Sequence, residues 1–167
     1  MIAATCLNKG IGYQNKLPWY FREDLKDFSE LTIGNSNNAV IMGANTFCSL
    51  KQPLKYRDNL VLSSTLQNDQ LQIFTKIDIL LSYCRKKQYD EIWIIGGAQV
   101  YSTFLSPKYM HLIDNLYLTQ INREYTCDVF FPDIPKEFST RMLRKVIETN
   151  NAELYLDRKS TRLNSSH

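Results

Sequence analysis

Histidine is almost absent from this chain of 167 residues, which contains only His111 and the terminal His167. The scarcity excludes histidine-rich metal sites, and any Ser-His-Asp triad would have to be built around His111. An isolated histidine is more often structural than catalytic. We therefore expect no metal site.

Closely spaced cysteines are also lacking. The four cysteines lie far apart and form no Cys-x-x-Cys pair: Cys6, Cys48, Cys84 and Cys127. This spacing disfavours both a zinc site and a disulfide scaffold. Reduced thiols are the better interpretation, and they predict a cytoplasmic location.

Neither a membrane anchor nor a nucleic-acid surface is indicated. No apolar run approaches the ~20 residues that span a bilayer, and the segment from Met1 to Leu7 lacks the basic lead of a secretory signal. The formal net charge is only +3, and no cluster of Lys and Arg carries interleaved aromatics. We expect no membrane and no nucleic-acid partner.

Residues 157–167 differ from the rest of the chain. They show no helical or strand period, and they match one reading frame of a common DNA-sequencing adapter. Arg158, Lys159 and Arg162 against Asp157 give three positive charges minus one, so this stretch contributes +2 of the formal +3. We expect a single native domain over residues 1–156, followed by a non-native tail over 157–167.

Short apolar runs alternate with helical patterns along the remaining chain. The runs Val40-Ile-Met42 and Ile92–Ile95 are apolar almost throughout, as in strands that are buried on both faces. We predict an α/β fold with a mixed, mostly parallel central sheet of about eight strands, an antiparallel C-terminal end and helices on both faces. The expected strands are Ile2–Cys6, Ala39–Met42, Leu60–Ser63, Leu71–Phe74, Glu91–Ile95, Leu116–Ile121, Leu143–Glu148 and Glu153–Leu156, and the expected helices are Glu23–Thr32, Ile77–Lys86 and Ala98–Leu105.

The glycines do not form the fingerprint of a standard dinucleotide-binding fold. Gly10-Ile-Gly12 lacks the third glycine at the required place. The pair Gly96-Gly97 follows an apolar strand and predicts a turn at which backbone can approach a ligand. A plain strand-to-helix turn is the alternative interpretation.

Asp24 is the first candidate functional residue. In a helix over 23–32, Asp24, Phe28 and Leu31 fall on one face, and Leu25, Phe28 and Leu31 form its apolar stripe. One interpretation is a first-turn carboxylate that the helix dipole stabilises. The other is a carboxylate in a half-apolar pocket, which accepts two hydrogen bonds from a ring N–H and a neighbouring amine and supports proton delivery.

A loop and six later motifs decide between these interpretations. The loop Ile11-Gly-Tyr-Gln-Asn-Lys-Leu-Pro-Trp19 ends five residues before Asp24, and Phe28 and Thr32 follow on the helix. The later motifs are Val40-Ile-Met-Gly43 with Thr46, Pro53-Leu54 with Arg57, Leu62-Ser-Ser64, Ile95-Gly-Gly97 with Val100-Tyr101, Tyr117-Leu-Thr119 and Asp128-Val-Phe-Phe-Pro132. In this order the pattern resembles dihydrofolate reductases over nearly the whole of Ile2 to Leu156.

The resemblance implies reduction of dihydrofolate to tetrahydrofolate, with hydride transfer from NADPH to pterin C6 and protonation at N5. Asp24 would be the only acid near the pterin, and it would support protonation through solvent. The residues implied in catalysis are Leu17, Trp19, Asp24, Tyr101 and Thr119. Asp128 would brace the loop that closes over the nicotinamide, or alternatively it is a turn residue before Phe130.

The resemblance also implies two sets of binding residues. Those for the substrate are Ile2, Ala4, Asp24, Leu25, Phe28, Leu50, Leu54, Arg57, Ile95 and Thr119, with Arg57 gripping the α-carboxylate. Those for the cofactor are Ala4, Ile11, Gly12, Gly43, Asn45, Thr46, Leu62, Ser63, Ser64, Lys76, Ile95, Gly96, Gly97, Ala98, Gln99, Val100 and Tyr101.

Two positions depart from the family pattern. Where the family usually carries basic residues beside the cofactor's 2′-phosphate, this chain has Ala44 and Gln99. One charge-assisted hydrogen bond contributes roughly 1.5–3 kcal/mol, which corresponds to about ten- to a hundredfold in discrimination. We therefore expect NADPH to be preferred by a reduced margin, with NADH as a possible donor.

Two other functions remain as alternatives. One is a pyrimidine reductase of riboflavin synthesis with the same fold, and the other is a non-catalytic folate- or nucleotide-binding protein. The stretch Cys127-Asp-Val-Phe-Phe-Pro132 most resembles the reductase half of bifunctional reductase–thymidylate synthases. A thymidylate synthase domain downstream of a truncated chain is therefore a further expectation.

Overall fold

The computed structural model describes residues 1–149. Their strands are β1 Ile2–Thr5, β2 Gly10–Gly12, β3 Asn38–Gly43, β4 Asp58–Leu62, β5 Gln72–Phe74, β6 Glu91–Gly96, β7 Leu116–Ile121, β8 Val129–Phe130 and β9 Met142–Ile147. The α-helices are α1 Arg22–Ile33, α2 Ala44–Leu50, α3 Ile77–Lys87 and α4 Ala98–Phe104, and two short 3₁₀ helices span Met110–Leu112 and Lys136–Phe138.

A four-stranded parallel sheet forms the centre of the fold, in the order β5-β4-β3-β6. Its middle strand β3 is buried on both faces, because Val40, Ile41 and Met42 are each at most 1% exposed. This explains why the strand is a continuous apolar run rather than an alternating one. Helix α2 joins β3 to β4 and α3 joins β5 to β6, whereas β4 and β5 are connected by residues 63–71 without a helix.

Helices cover both faces of this sheet. On one face, Ile41 and Leu60 pack with Leu80 of α3 and Phe104 of α4. On the other face, Val40, Met42 and Val61 pack with Phe28 of α1 and Leu50 of α2. The alternation follows from the two-residue period of a strand. The predicted mixed α/β architecture, with mostly parallel strands and helices on both faces, is thereby confirmed.

A second sheet, in the order β1-β7-β9, is parallel throughout, and β1 lies beside β6. The antiparallel pair among residues 1–149 is β2 with β8. The predicted antiparallel C-terminal end is therefore not seen in β9, and its second strand, Glu153–Leu156, lies outside the described residues. The nine strands fall into three sheets, so the predicted count of eight is not confirmed.

Three elements were not expected from the sequence. Helix α2 has a weak local signal, since Asn45, Thr46 and Cys48 are poor helix formers. It forms where β3 ends, and it buries Thr46 and Leu50 against the sheet. Strands β2 and β8 have only three and two residues, and each is defined by pairing with the other across more than a hundred positions.

The buried face of α1 also differs from the prediction. Asp24, Phe28 and Thr32 are buried, whereas Leu31 is 37% exposed and Leu25 is half-buried. Asp24, Phe28 and Thr32, at positions i, i+4 and i+8 of α1, face the interior, and Leu31 lies at the edge of this helix face. Two polar side chains thus occupy the face that packs against the sheet.

Candidate active site

The larger cavity lies at the carboxyl ends of the central parallel strands and has a volume of about 690 Å³. Gly43 ends β3, Leu62 ends β4, and Gly97 directly follows β6, and all three line this cavity. Open parallel sheets bind ligands in such a crevice, since the loops and helix starts that follow the strands converge there.

Most residues predicted to bind the cofactor lie on this wall. The ones placed there are Ala4, Ile11, Gly12, Gly43, Asn45, Thr46, Leu62, Ser63, Ser64, Gly97, Ala98, Gln99, Val100 and Tyr101. Ile95 and Gly96 are buried behind the wall, and Lys76 is exposed between two lining residues, Thr75 and Ile77. The cavity brings together residues from β1 to α4 that are distant in the sequence.

The donors on this wall suit phosphate groups. Helix α2 starts after Gly43 and α4 starts after Gly97, and neither cap residue makes a side-chain cap hydrogen bond. The backbone N–H groups of a helix's first turn have no partner within the helix. Asn45, Ser63 and Ser64 add side-chain donors. This set fits a phosphate-bearing dinucleotide.

Ser63 is held in a defined position. Its Oγ accepts hydrogen bonds from the backbone N–H of Thr65 at 3.2 Å and of Leu66 at 2.9 Å. A hydroxyl has one donor in addition to its acceptor lone pairs. Ser63 can therefore still donate to a phosphate oxygen in the cavity.

The positive charge on the wall of the larger cavity comes from Lys16, which was not predicted to bind the cofactor. Among the described lining residues Lys16 carries the one formal charge, whereas Ala44 and Gln99 are neutral. The wall also includes Asn15, Ser49, Thr75, Ile77, Thr103 and Val129, none of which was predicted. Lys16 and Asn15 belong to the Ile11–Trp19 loop, so that motif was the signal that could have identified them.

The loop from Tyr13 to Lys16 closes over this cavity as a tight turn. Tyr13 and Lys16 exchange two backbone hydrogen bonds, of 2.8 and 3.1 Å. The backbone N–H of Gln14 donates to Asp128 Oδ2 at 3.0 Å, and the N–H of Asp128 donates to the carbonyl of Gly12 at 3.0 Å. Asp128 therefore contacts the loop directly, in the position expected of a brace.

A smaller cavity of about 380 Å³ lies beside α1 and is lined by Asp24 and Phe28. Ile2 and Thr119, two other predicted substrate residues, are on the same wall, and Asp24 is only 5% exposed. Ala4 lines the larger cavity instead. The predicted apolar walls Leu50, Leu54 and Ile95 pack with Phe28 in one cluster, but neither they nor Leu25 line either cavity.

Asp24 is not the only acid at this cavity, so that expectation was wrong. Asp27 and Glu30, one and nearly two turns further along α1, line it as well. Both are paired with lysines: Asp27 contacts Lys145, and Glu30 lies 3.9 Å from Lys26. Asp24 is far more buried than either, because it falls on the line of α1 that faces the sheet.

Arg57 is fixed beside the end of α1. Its Nη1 donates to Thr32 Oγ1 at 3.0 Å, and its Nε donates to the carbonyl of Lys55 at 2.8 Å. Thr32 in turn donates to the carbonyl of Phe28 at 2.8 Å. Burial lowers the pKa of Arg57 below its ordinary value. A partly desolvated guanidinium held by neutral acceptors is suited to an anionic ligand.

Trp19 and Tyr101 are buried at opposite sides of β1. Trp19 Nε1 has no hydrogen-bond partner among residues 1–149, which is unusual for a buried donor and suits a water or a ligand carbonyl. The Tyr101 hydroxyl donates to the carbonyl of Ile2 at 2.7 Å. Burial raises the pKa of Tyr101, so it remains a neutral donor. Leu17, also predicted as catalytic, lines the larger cavity.

Residues 1–149 contain neither a metal-binding cluster nor a membrane-spanning helix. No group of three or more His, Cys, Asp or Glu side chains in this range is arranged to hold a metal. In the same range, no helix combines the length and the apolarity that a membrane crossing requires.

The fold and its two cavities define an α/β protein with a phosphate-suited crevice next to a carboxylate-lined pocket. A sequence model of the dihydrofolate reductase family matches residues 1–159, and the chain therefore belongs to this family. The resemblance inferred from the motifs is confirmed.

Individual relatives agree with the family match. The chain is 37% identical over 153 residues to dihydrofolate reductase of Drosophila melanogaster, covering 83% of this chain and 81% of that protein. It is 39% identical over 135 residues to the enzyme named dihydrofolate reductase in Haemophilus influenzae, covering 80% and 78%. A bifunctional dihydrofolate reductase-thymidylate synthase of Paramecium tetraurelia is 34% identical over 153 residues, covering 90% of this chain and 31% of that protein.

Proposed function

We propose that this protein reduces dihydrofolate to tetrahydrofolate with NADPH. The observation that carries the proposal is the position of β1 between the two cavities. Ile2 lines the cavity of Asp24, and Ala4 lines the phosphate-suited cavity. Side chains two apart on a strand project to the same side. A hydride donor in one cavity and an acceptor in the other can therefore meet on the same side of this strand.

Asp24 and Arg57 are the polar contacts for the substrate. The Asp24 carboxylate accepts hydrogen bonds from the ring N–H and the exocyclic amine of the pterin, and Thr119 helps to orient it. Arg57 binds the α-carboxylate of the tail with its planar fork. Phe28 lines the cavity and forms an apolar surface for the rings, and Leu50 and Leu54 pack with it in one cluster.

The dinucleotide is held by the wall of the larger cavity. The helix starts at Ala44 and Ala98 bind its phosphates, and Ser63, Ser64 and Asn45 donate to the 2′-phosphate. When bound, the nicotinamide supplies the hydride for pterin C6. The loop closed by Asp128 keeps water away from the two rings, which the protein mainly orients.

The proton for pterin N5 comes from solvent, and the Asp24 carboxylate supports this transfer without contacting N5. A carboxylate that binds the pyrimidine edge cannot also reach N5. Trp19 Nε1, which has no partner among the described residues, holds a water on this route. Tyr101 closes the route on the other side, where its hydroxyl is fixed on the Ile2 carbonyl.

A spectrophotometric assay tests the proposal. We expect NADPH to be consumed when dihydrofolate is added and an antifolate to stop the reaction. Consumption with a pyrimidine intermediate of riboflavin synthesis, but not with dihydrofolate, would identify the other reductase. Binding of dihydrofolate without consumption of NADPH would identify a non-catalytic binding protein.

The preference between NADPH and NADH tests the cofactor assignment separately. Ala44 and Gln99 put no cation on the wall, so the 2′-phosphate is recognised by neutral donors. Losing one charged contact costs about ten- to a hundredfold in discrimination. We expect NADPH to be preferred by less than several thousandfold in kcat/KM, and expect Ala44→Arg to widen the margin. A larger preference in the unmodified protein would mean that Lys76 or Lys16 compensates.

A further inference from the structure

Asn59 makes an unusually complete set of hydrogen bonds to the segment that carries Arg57. Its Oδ1 accepts from the backbone N–H of Leu54 at 2.9 Å. Its Nδ2 donates to the carbonyl of Leu54 at 2.8 Å and to the carbonyl of Arg57 at 3.0 Å. Both ends of one amide thus tie the two ends of the segment from Leu54 to Arg57 to strand β4.

The segment needs such a tie, because its backbone is not locally favoured. Tyr56 has a φ of 65°, so its backbone is in the left-handed region. Its large side chain is 71% exposed, so little packing stabilises this conformation. This conformation is uncommon outside glycine. Contacts from outside the segment must therefore select it.

Asn59 also lies on the substrate side of the sheet. It precedes Val61 by two residues in β4, and Val61 belongs to the apolar cluster that contains Phe28 and Ile95. Leu54 packs against the same cluster. The Asn59 amide thereby connects the apolar cluster around Phe28 to Arg57, the residue that is proposed to bind the anionic tail of the substrate.

We propose that Asn59 is a positioning residue for Arg57 and that it makes the protein selective for substrates with an anionic tail. The inference rests on the proposed function. Asn59 fixes the backbone of Arg57, while Thr32 and the Lys55 carbonyl fix its guanidinium. Only an amide both accepts and donates at adjacent atoms, so neither a carboxylate nor an alanine replaces it.

Two substrates separate this role from a merely structural one. Asn59→Ala is compared with the unmodified protein on dihydrofolate and on a dihydropterin that has a methyl group in place of the whole tail. We expect KM for dihydrofolate to rise about tenfold with kcat nearly unchanged, since part of a charge-assisted contact is lost. For the tailless substrate, KM and kcat stay within about twofold.

Arg57→Ala and the double variant, which carries both Arg57→Ala and Asn59→Ala, test whether Asn59 acts through Arg57. Arg57→Ala gives a larger loss that is again confined to the tail-bearing substrate. Adding Asn59→Ala to it causes little further loss, because the contact that Asn59 positions is already absent. Asn37→Ala is the matched control. The Asn37 side chain makes two hydrogen bonds, to Asp90 and to the Gln88 carbonyl, and it lies next to the amino end of β3. Its loss leaves both substrates unaffected.

Equal losses with both substrates, or no loss with either, overturn the proposal. If Asn59→Ala does not fold, Asn59→Asp is measured, which keeps the acceptor for the Leu54 N–H and loses both donors. Binding of the two ligands, followed by quenching of tryptophan fluorescence, gives a readout without turnover. An unmodified protein that reduces neither substrate contradicts the proposed function, whereas one that reduces both without dependence on Asn59 contradicts only this inference.

Discussion

At the residue scale, the buried polar side chains include residues of the proposed binding sites. Among residues 1–149 the buried polar or charged ones are Thr5, Asp24, Thr32, Asn38 and Thr46. Asp24 alone in this group carries a formal charge, and burying a charge is costly unless the site uses it. Thr32 orients Arg57, and Thr46 lines the larger cavity. Three of these five buried polar side chains thus lie where the proposed ligands bind.

Asp24→Asn is expected to fold and to lose most turnover at neutral pH. Removing a group that supports proton transfer costs about a hundred- to ten-thousandfold. Turnover should recover partly as the pH is lowered, because a substrate already protonated at N5 no longer needs the carboxylate. The measurement is kcat as a function of pH.

Asp27→Asn is the control for this experiment. Asp27 lines the same cavity but contacts Lys145, and the variant should keep most of its turnover. Near-normal turnover of Asp24→Asn at neutral pH would remove Asp24 from the mechanism.

At the scale of the elements, two short connections determine the shape of the larger cavity. One is the loop that Asp128 contacts through Gln14. The other is the turn between β6 and α4, where the Gly96-Gly97 peptide bond is cis. The loop is held by its hydrogen bonds to Asp128, and the turn is buried against Tyr101.

Asp128→Ala is expected to loosen the loop without unfolding the protein. The lost hydrogen bond is exposed, so the free energy of unfolding should change by less than about 1 kcal/mol. KM for NADPH should rise about three- to tenfold, since the closed loop is populated less. Steady-state kinetics and urea unfolding measure the two effects.

Asp133→Ala provides the comparison for the loop. Asp133 is an exposed acid a few residues later that pairs with Lys9 at 3.2 Å. Its loss should change neither KM nor stability. If both variants behave alike, Asp128 is only a turn residue.

Gly96→Ala is expected to destabilise the turn after β6. Gly96 has a φ of 116°, and an added Cβ would lie 3.1–3.2 Å from ring atoms of Tyr101. Backbone strain and overpacking together cost about 1–3 kcal/mol or more. The Tyr101 hydroxyl donates a hydrogen bond to the Ile2 carbonyl, so a displacement of the Tyr101 ring would also move β1.

Gly12→Ala is the matched glycine change in the same cavity. Its added Cβ would meet neighbours no closer than 3.5 Å, which is ordinary contact distance. Urea unfolding should show a change within about 0.5 kcal/mol. A Gly96→Ala protein as stable as Gly12→Ala would contradict the strain argument.

At the scale of the whole molecule, the central sheet and the helices on its faces hold both cavities in place. Helix α3 covers one face with Leu80 and Cys84, both almost fully buried. Burial raises the pKa of the Cys84 thiol from 9.0 to about 11, and the nearby Arg85 opposes part of that shift. A raised pKa in the folded state links global stability to pH.

Stability should therefore fall as the pH rises from about 9 to about 11. The native state keeps the Cys84 proton in this range while the unfolded chain releases it, so the stabilisation is complete below pH 9 and lost above pH 11. Urea unfolding of the protein and of Cys84→Ala across this range isolates the effect. The difference between the two stabilities should shrink with rising pH, and a constant difference would rule the linkage out.

Local pattern was enough to predict several parts of the fold. The apolar run at Val40-Ile-Met42 predicted a strand buried on both faces, and α3 and α4 begin at the predicted residues. The dinucleotide residues of the candidate site were predicted by the resemblance to dihydrofolate reductases and not by local pattern, and most of them line one wall. Periodicity and turn chemistry act within a few residues, so a single sequence contains them.

Other features were decided by tertiary structure alone. The pairing of β2 with β8, the exposure of Leu31 and the acids Asp27 and Glu30 at the cavity of Asp24 depend on which distant elements meet. The sequence by itself determined most of the strands and helices, though not α2, β2 or β8, and which residue types are present for the chemistry. Packing determined which of these residues face each other, because burial and pairing are set by neighbours far away in the chain.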